Sequence, residues 1–162
     1  MRAQIWSMDF IASITIFILM FSVVVFSWNY INTQNTERSL FSDMQVLGLD
    51  VSDIIVRIPG NPEDWNESNV QSIGLATREN VLNETKVEQF ISMDYDTTRS
   101  LLGLSNKEFY FSVEYLNGTI VEYNGKNMTA GTYPINHTTS VPVYRTVLFG
   151  KTLSKMVLVL YV

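Results

Sequence analysis

The chain has 162 residues, 46% hydrophobic, 17% charged and none cysteine, with 16 acidic against 11 basic side chains for a formal charge of −5. That length supports one folded domain plus an appendage. The acidic balance is the wrong sign for a nucleic-acid binder, which needs a basic face to displace counterions from phosphate. With one histidine and no cysteine, structural zinc, iron–sulfur clusters, thiol catalysis and disulfide frameworks drop out, and no cofactor is expected.

Residues 10–28 (FIASITIFILMFSVVVFSW) run for 19 positions without a charge, Gly or Pro. As a helix they span roughly 28 Å, close to the ~30 Å hydrocarbon core, so the stretch is predicted to cross a membrane once, with lipid as its partner. The hydroxyls of Ser13, Thr15, Ser22 and Ser27 can bond back to carbonyls one turn earlier, and Trp28 and Tyr30 fall where an interfacial aromatic belt belongs. A buried helix of a soluble protein would show a polar face. A cleavable secretory signal is the stronger rival, although the segment before the span carries Asp9 and a single basic side chain, Arg2. Positive charge before the span and acidic bulk after it predict a cytoplasmic N-terminus and an extracellular remainder.

Asn66-Glu-Ser, Asn83-Glu-Thr, Asn117-Gly-Thr, Asn127-Met-Thr and Asn136-His-Thr all fit the N-x-S/T acceptor pattern, and all lie beyond the span. They are candidate N-glycosylation sites, with an oligosaccharyltransferase as the implied partner. Asn-rich turns beside Thr-rich strands account for the same pattern without modification.

The helix is predicted to continue through the polar collar 29–36. Beyond it Leu40, Met44, Leu47, Val51, Ile54 and Ile58 recur at spacings of 4, 3, 4, 3 and 4, with Asp43, Asp50, Asp53 and Arg57 between them, the pattern of an amphipathic helix. Pro59-Gly60 ends it. The result is one helix of about 50 residues, or two if the collar breaks it. Residues 60–80 read as an ordered loop anchored by Trp65 and Ile73-Gly74-Leu75. Thr85 and Glu88 form a capping box that opens a helix with Val87, Phe90 and Ile91 on one face, and a helical turn over 97–102 ends at Gly103.

From Glu108 the period changes to 2. Phe109, Phe111, Val113 and Tyr115 alternate with their neighbours, Asn117-Gly118 is predicted as a type I′ turn into a return strand at 120–123, and Asn124-Gly125 supplies a second turn. Residues 141–149 and 153–162 form a last hairpin across Gly150-Lys151. Its final strand, MVLVLYV, is apolar on both faces and belongs at the sheet centre under the helix. The expected fold class is α+β, a long N-terminal transmembrane and amphipathic helix packed on a C-terminal antiparallel sheet of about four or five strands. Its parts are a cytoplasmic tip 1–9, a span 10–28, an extracellular continuation of the helix 29–60 and a globular head 61–162.

This order of parts resembles type IV pilin-like proteins, in particular the archaeal ones. The residues that carry the resemblance are Arg2-Ala3-Gln4-Ile5-Trp6-Ser7-Met8-Asp9-Phe10. Archaeal class III signal peptides of the Gln-x-Ser-x-Glu group are cut just before the Gln. The resemblance therefore implies cleavage between Ala3 and Gln4 by a prepilin peptidase, leaving the span intact. Here Ser7 and Asp9 sit one residue later than in that spacing, and Asp stands in place of Glu. The resemblance also implies that Asp9 pairs with the freed amine of a neighbouring subunit during assembly. By residue type alone Asp9 equally suits a helix N-cap or an interface marker. Pro59-Gly60-Asn61-Pro62, Trp65, Ile73-Gly74-Leu75 and Lys86 are in addition similar to residues of archaeal envelope proteins of this design.

The function implied is a structural or minor subunit of an archaeal cell-surface filament, associating with itself or with other pilin-like subunits through the apolar half of the helix. The alternative is a single-pass, membrane-anchored extracellular glycoprotein for adhesion or envelope interactions that forms no filament. An enzyme is not expected. His137 is the only imidazole and no acidic residue follows Glu122 to orient it, while Glu84 and Glu88, one turn apart, suit a solvated helix face. There is no Gly-rich phosphate loop, no G-x-S-x-G and no metal-spaced cluster. Residues 37–122 hold 6 basic and 15 acidic side chains, net −9, whereas Lys126, Arg145, Lys151 and Lys155 give +4 to residues 126–162. Such poles either pair within the head or set the register between neighbouring subunits.

Overall fold

A computed structural model describes residues 2–104, 106–135 and 139–162, with side chains for all of them except 2–7, 36 and 37. Helix α1 runs Arg2–Arg57, 56 residues, and the collar does not interrupt it. The chain divides into two compact units, Met1–Leu40 and Phe41–Val162.

The first unit is helical throughout its described length. None of residues 8–31 is buried, and the most apolar 18-residue window has a mean hydropathy of 2.6. The Thr15 hydroxyl donates to the Ile11 carbonyl at 2.8 Å and the Ser22 hydroxyl to the Ile18 carbonyl at 2.7 Å, which takes the polar hydrogens of both side chains off the helix surface. A helix apolar on every side, and long enough to cross a bilayer, is compatible with a membrane anchor.

The second unit is α+β. After α1 come β1 (Ala76–Arg78), β2 (Val81–Leu82), α2 (Glu84–Ser92), α3 (Tyr95–Leu101), β3 (Glu108–Tyr115), β4 (Glu122–Tyr123), β5 (Lys126–Asn127), β6 (Thr129–Gly131), β7 (Ser140–Phe149) and β8 (Thr152–Tyr161). Six strands form one sheet in the order β1-β2-β7-β8-β3-β6, and β4-β5 form a two-stranded ribbon. The sheet is thus larger than the four or five strands expected, and it is mixed, because β2 runs parallel to β7 with Val81 opposite Leu148 and Leu82 opposite Phe149. Strands of three and two residues, as in β1 and β2, are too short to display a period of 2, so the stretch that holds β1 reads as loop.

Strand β8 sits between β7 and β3, paired along its whole length with the first and from Ser154 to Tyr161 with the second. Residues 156–161 are all buried, which requires cover on both faces of the sheet. On one face Phe90 of α2 meets Phe111 edge-on at 5.0 Å between ring centroids, and α1 crosses beside it.

That crossing is closest at Gly48, where a Cβ would stand 3.0 Å from Val143 Cγ2 and 3.6 Å from Leu160 Cδ1. The missing side chain lets the helix settle there, and the buried residues of this part of α1 are Met44, Gly48, Val51, Ser52, Ile55 and Val56. Of the expected stripe Met44 and Val51 are buried and Leu40 and Leu47 half-buried, whereas Ile54 and Ile58 remain 45% and 39% exposed and Ile55 and Val56 are buried in their place.

Three local expectations are also corrected. Asn83, not a Thr85–Glu88 box, caps α2, its Oδ1 accepting from the Lys86 N–H, and Thr85 lies inside the first turn. Asn117-Gly118 is not a type I′ turn. Gly118 N–H donates to the Tyr115 carbonyl and Tyr115 N–H to the Thr119 carbonyl, a three-residue loop with Gly118 alone at positive φ, +86°. The type I′ pair is Asn124-Gly125, at φ 52° and 75°, joining β4 to β5. Helix α3 starts at Tyr95, two positions before the expected turn, because Asp94 accepts from both the N–H and the hydroxyl of Thr97.

Candidate functional site

Four groups of residues are candidates, and the fold treats each differently. At the N-terminus, the Ala3–Gln4 peptide lies within α1, and the side chains there fall outside the description. Asp9 is exposed, and among the described side chains it has no ion-pair partner. It stands well inside α1, which starts at Arg2, so the N-cap role open to it in the sequence is excluded.

The second group is the run quoted above from Pro59 to Lys86, which the structure draws into one clasp. The Pro59 carbonyl accepts from Trp65 Nε1 at 3.0 Å and from Lys86 Nζ at 2.5 Å, and Trp65 Nε1 is shared with the Gly74 carbonyl at 2.9 Å. Trp65 is buried to 3% exposure, as its anchoring role requires. Glycine is required at 74, where a Cβ would collide with the Ile58 carbonyl oxygen and the Gly60 nitrogen. Burial pulls the Lys86 ammonium below its ordinary pKa, opposed by the nearby Glu63 and Asp64 carboxylates. The chemistry of this group is that of a closed hydrogen-bond cluster at the end of α1.

The acceptor asparagines form the third group, and they are not equivalent. Asn66 and Asn117 are exposed in loops, and each receives a hydrogen bond from the backbone N–H two residues on, Ser68 at 2.9 Å and Thr119 at 2.9 Å. Asn83 is half-buried at the α2 cap, and Asn127 lies in β5 followed by the fully buried Met128. Asn136 and His137 lie outside the described residues.

The fourth group is the charge poles. Three of the four late cations pair with acids from the earlier half: Lys126 with Glu88 at 3.2 Å, Arg145 with Asp53 at 2.6 Å, and Lys155 with Glu114 at 2.9 Å. Arg145 also donates to Ser52 Oγ at 3.0 Å, which ties β7 to α1. Glu84 and Glu88 serve as acceptors, for the Tyr123 hydroxyl and for Asn124 and Lys126, so both work in packing contacts. Burial first, and then Glu84, pushes the Tyr123 phenol above its ordinary pKa. The sequence shows the poles but not which acid meets which cation, because every pairing bridges distant segments.

Among the described residues no group of three or more His, Cys, Asp or Glu side chains is placed to hold a metal ion. No family model, curated protein or solved structure matches the chain.

Proposed function

We propose that the chain is a pilin-like structural or minor subunit of an archaeal cell-surface filament, anchored by residues 10–28 in the membrane, with its N-terminus cytoplasmic and residues 41–162 displayed outside. The observation that carries this reading is the unburied apolar surface of residues 8–31, on which Phe10, Phe17 and Trp28 are 67%, 65% and 74% exposed. Such a surface is stable against lipid or against the same surface of a second copy, and a filament subunit uses both in turn. Asp9 adds to it. A carboxylate within a helix beside an apolar run costs a few kcal/mol unless it meets water or a cation, and an amine freed at Gln4 of a neighbour supplies the cation.

Intact-mass measurement of membrane-extracted protein, with imaging of a C-terminal tag, tests the reading. A mass lower by residues 1–3, with label running along fibres, is expected. Full-length mass with label spread over the envelope would favour the anchored glycoprotein that forms no filament.

A further inference from the structure

Five positions share the acceptor pattern in the sequence, yet the backbone around the four described ones separates them into two kinds. At Asn66 and Asn117 every hydrogen bond of the acceptor tripeptide is local. Ser68 donates to Asn66 Oδ1 through both its N–H, at 2.9 Å, and its hydroxyl, at 2.6 Å, and Asn69 and Val70 N–H close the same turn onto the Asn66 carbonyl. Thr119 N–H donates to Asn117 Oδ1 at 2.9 Å at the tip of a three-residue loop. All three residues of each tripeptide are exposed. Such tips can be bent into the active site of a modifying enzyme without breaking the sheet.

The other two are held from both sides. Asn83 N–H donates to the Leu75 carbonyl at 2.7 Å, its own carbonyl accepts from Val87 N–H at 3.0 Å, and its side chain caps α2. Residues 84 and 85 of that tripeptide are already helical. In the Asn127 tripeptide, Met128 is fully buried, its N–H donates to the Val121 carbonyl at 2.9 Å, and its carbonyl accepts from Val113 N–H at 2.9 Å. Thr129 is already paired with Ser112 of β3. The Asn127 side chain is exposed, but drawing its tripeptide into an enzyme's active site means stripping β6 from the sheet, and drawing in that of Asn83 means unfolding the α2 cap.

We infer that Asn66 and Asn117 are the positions at which the folded chain accepts an N-linked glycan, and that Asn83 and Asn127 are withheld. The inference rests on the reading that places residues 41–162 outside the cell. The co-reactant is a lipid-phosphate-linked oligosaccharide. The Asn Nδ2 forms a bond to the anomeric carbon as the bond from that carbon to the phosphate oxygen breaks. The electron pair leaves with the phosphate, the amide gives up one proton to the medium, and nothing is oxidised or reduced. The two glycans would mark two tips of the head, one in the loop between α1 and β1 and one beyond β3, where a bulky polar chain displaces no packed side chain.

The test is peptide-level mass spectrometry of the full-length protein extracted from its native membrane, beside labelling of intact cells with a membrane-impermeant amine reagent read at the exposed Lys151. Glycan on the Asn66 and Asn117 peptides, with bare Asn83 and Asn127 peptides, is expected. Ser68→Ala and Thr119→Ala should each remove one glycan from the intact mass, while Thr85→Ala and Thr129→Ala remove none. Labelled Lys151 with Asn66 and Asn117 bare, or with glycan on Asn83 or Asn127, overturns the site assignment and leaves the topology standing. Unlabelled Lys151 overturns the topology and the inference with it.

Discussion

The Lys86 ammonium donates a 2.5 Å hydrogen bond to the Pro59 carbonyl oxygen, tying α2 to the chain leaving α1 across 27 positions of sequence. Trp65 shares that acceptor, so Lys86→Met leaves the carbonyl with a donor and is expected to cost about 1 kcal/mol. Trp65→Phe strips a donor from both Pro59 and Gly74 and is expected to cost more, about 2–3 kcal/mol. Urea unfolding of the detergent-solubilised protein, followed by near-UV circular dichroism, measures both. Equal costs would mean that the indole does not hold the carbonyl on its own.

At Gly48 the helix backbone takes the place of a side chain. Gly48→Leu is expected to destabilise the second unit by about 1–3 kcal/mol, because Val143 and Leu160 leave no room for it. Val46→Leu, on the opposite face at 58% exposure, should stay within about 0.5 kcal/mol. The same unfolding curves separate the two, and a silent Gly48→Leu would disprove the close crossing.

Lys155 lies directly across the β3–β8 pair from Glu114, and that hydrogen-bonded carboxylate raises its pKa. Lys155→Glu sets two carboxylates opposite one another at a site only partly screened by water, and a loss of about 1 kcal/mol is expected. Lys151→Glu, exposed on the β7–β8 turn, should change stability by less than about 0.5 kcal/mol. Thermal melts of both variants decide whether the late positive charge serves packing. Two silent substitutions combined with salt-sensitive assembly would return it to the contacts between subunits.

Two carboxylates, the exposed Asp94 and the half-buried Glu88, give the head an acid limb. The N–H and then the hydroxyl of Thr97 hold the Asp94 carboxyl below its usual pKa, and the Asn124 amide followed by Lys126 does the same for Glu88. For a group depressed in the folded state the unfolded chain takes up the proton first. The stabilisation is therefore complete above the ordinary carboxylate range and lost as pH falls through the folded pKa. Melting temperature is expected to decline below about pH 4–5, and the pair Asp94→Asn and Glu88→Gln should flatten that decline. Melts from neutral pH down to pH ~3 provide the check, and an unchanged slope would place the acid sensitivity elsewhere.

What could be read from residues alone divides along physical lines. The apolar run at 10–28 and the two-faced apolar strand at 156–162 declare themselves by composition: the first is a helix long and apolar enough to cross a membrane, and the second is the central strand β8. The α1 stripe is legible at Met44 and Val51 but not at Ile54 and Ile58, because hydrophobicity does not register glycine or serine, and Gly48 and Ser52 lie on the buried face. The capping-box pattern points to Thr85 for the α2 cap, although Asn83 is itself a strong N-cap type one turn before the apolar face. The strands β1 and β2 depend on a parallel partner more than 60 positions away, and no local pattern announces that. The acceptor tripeptides look alike as strings and differ only in where their backbone hydrogen bonds go.

Strand β8 is the partner that β7 and β3 share, and it follows both of them in the chain. Until residues 152–161 are available, each of those strands carries an open edge toward the other. The step that joins the two halves of the sheet therefore waits for β8, so a chain emerging from its N-terminal end holds β3 and β7 apart until residues 152–161 are free to pair with both.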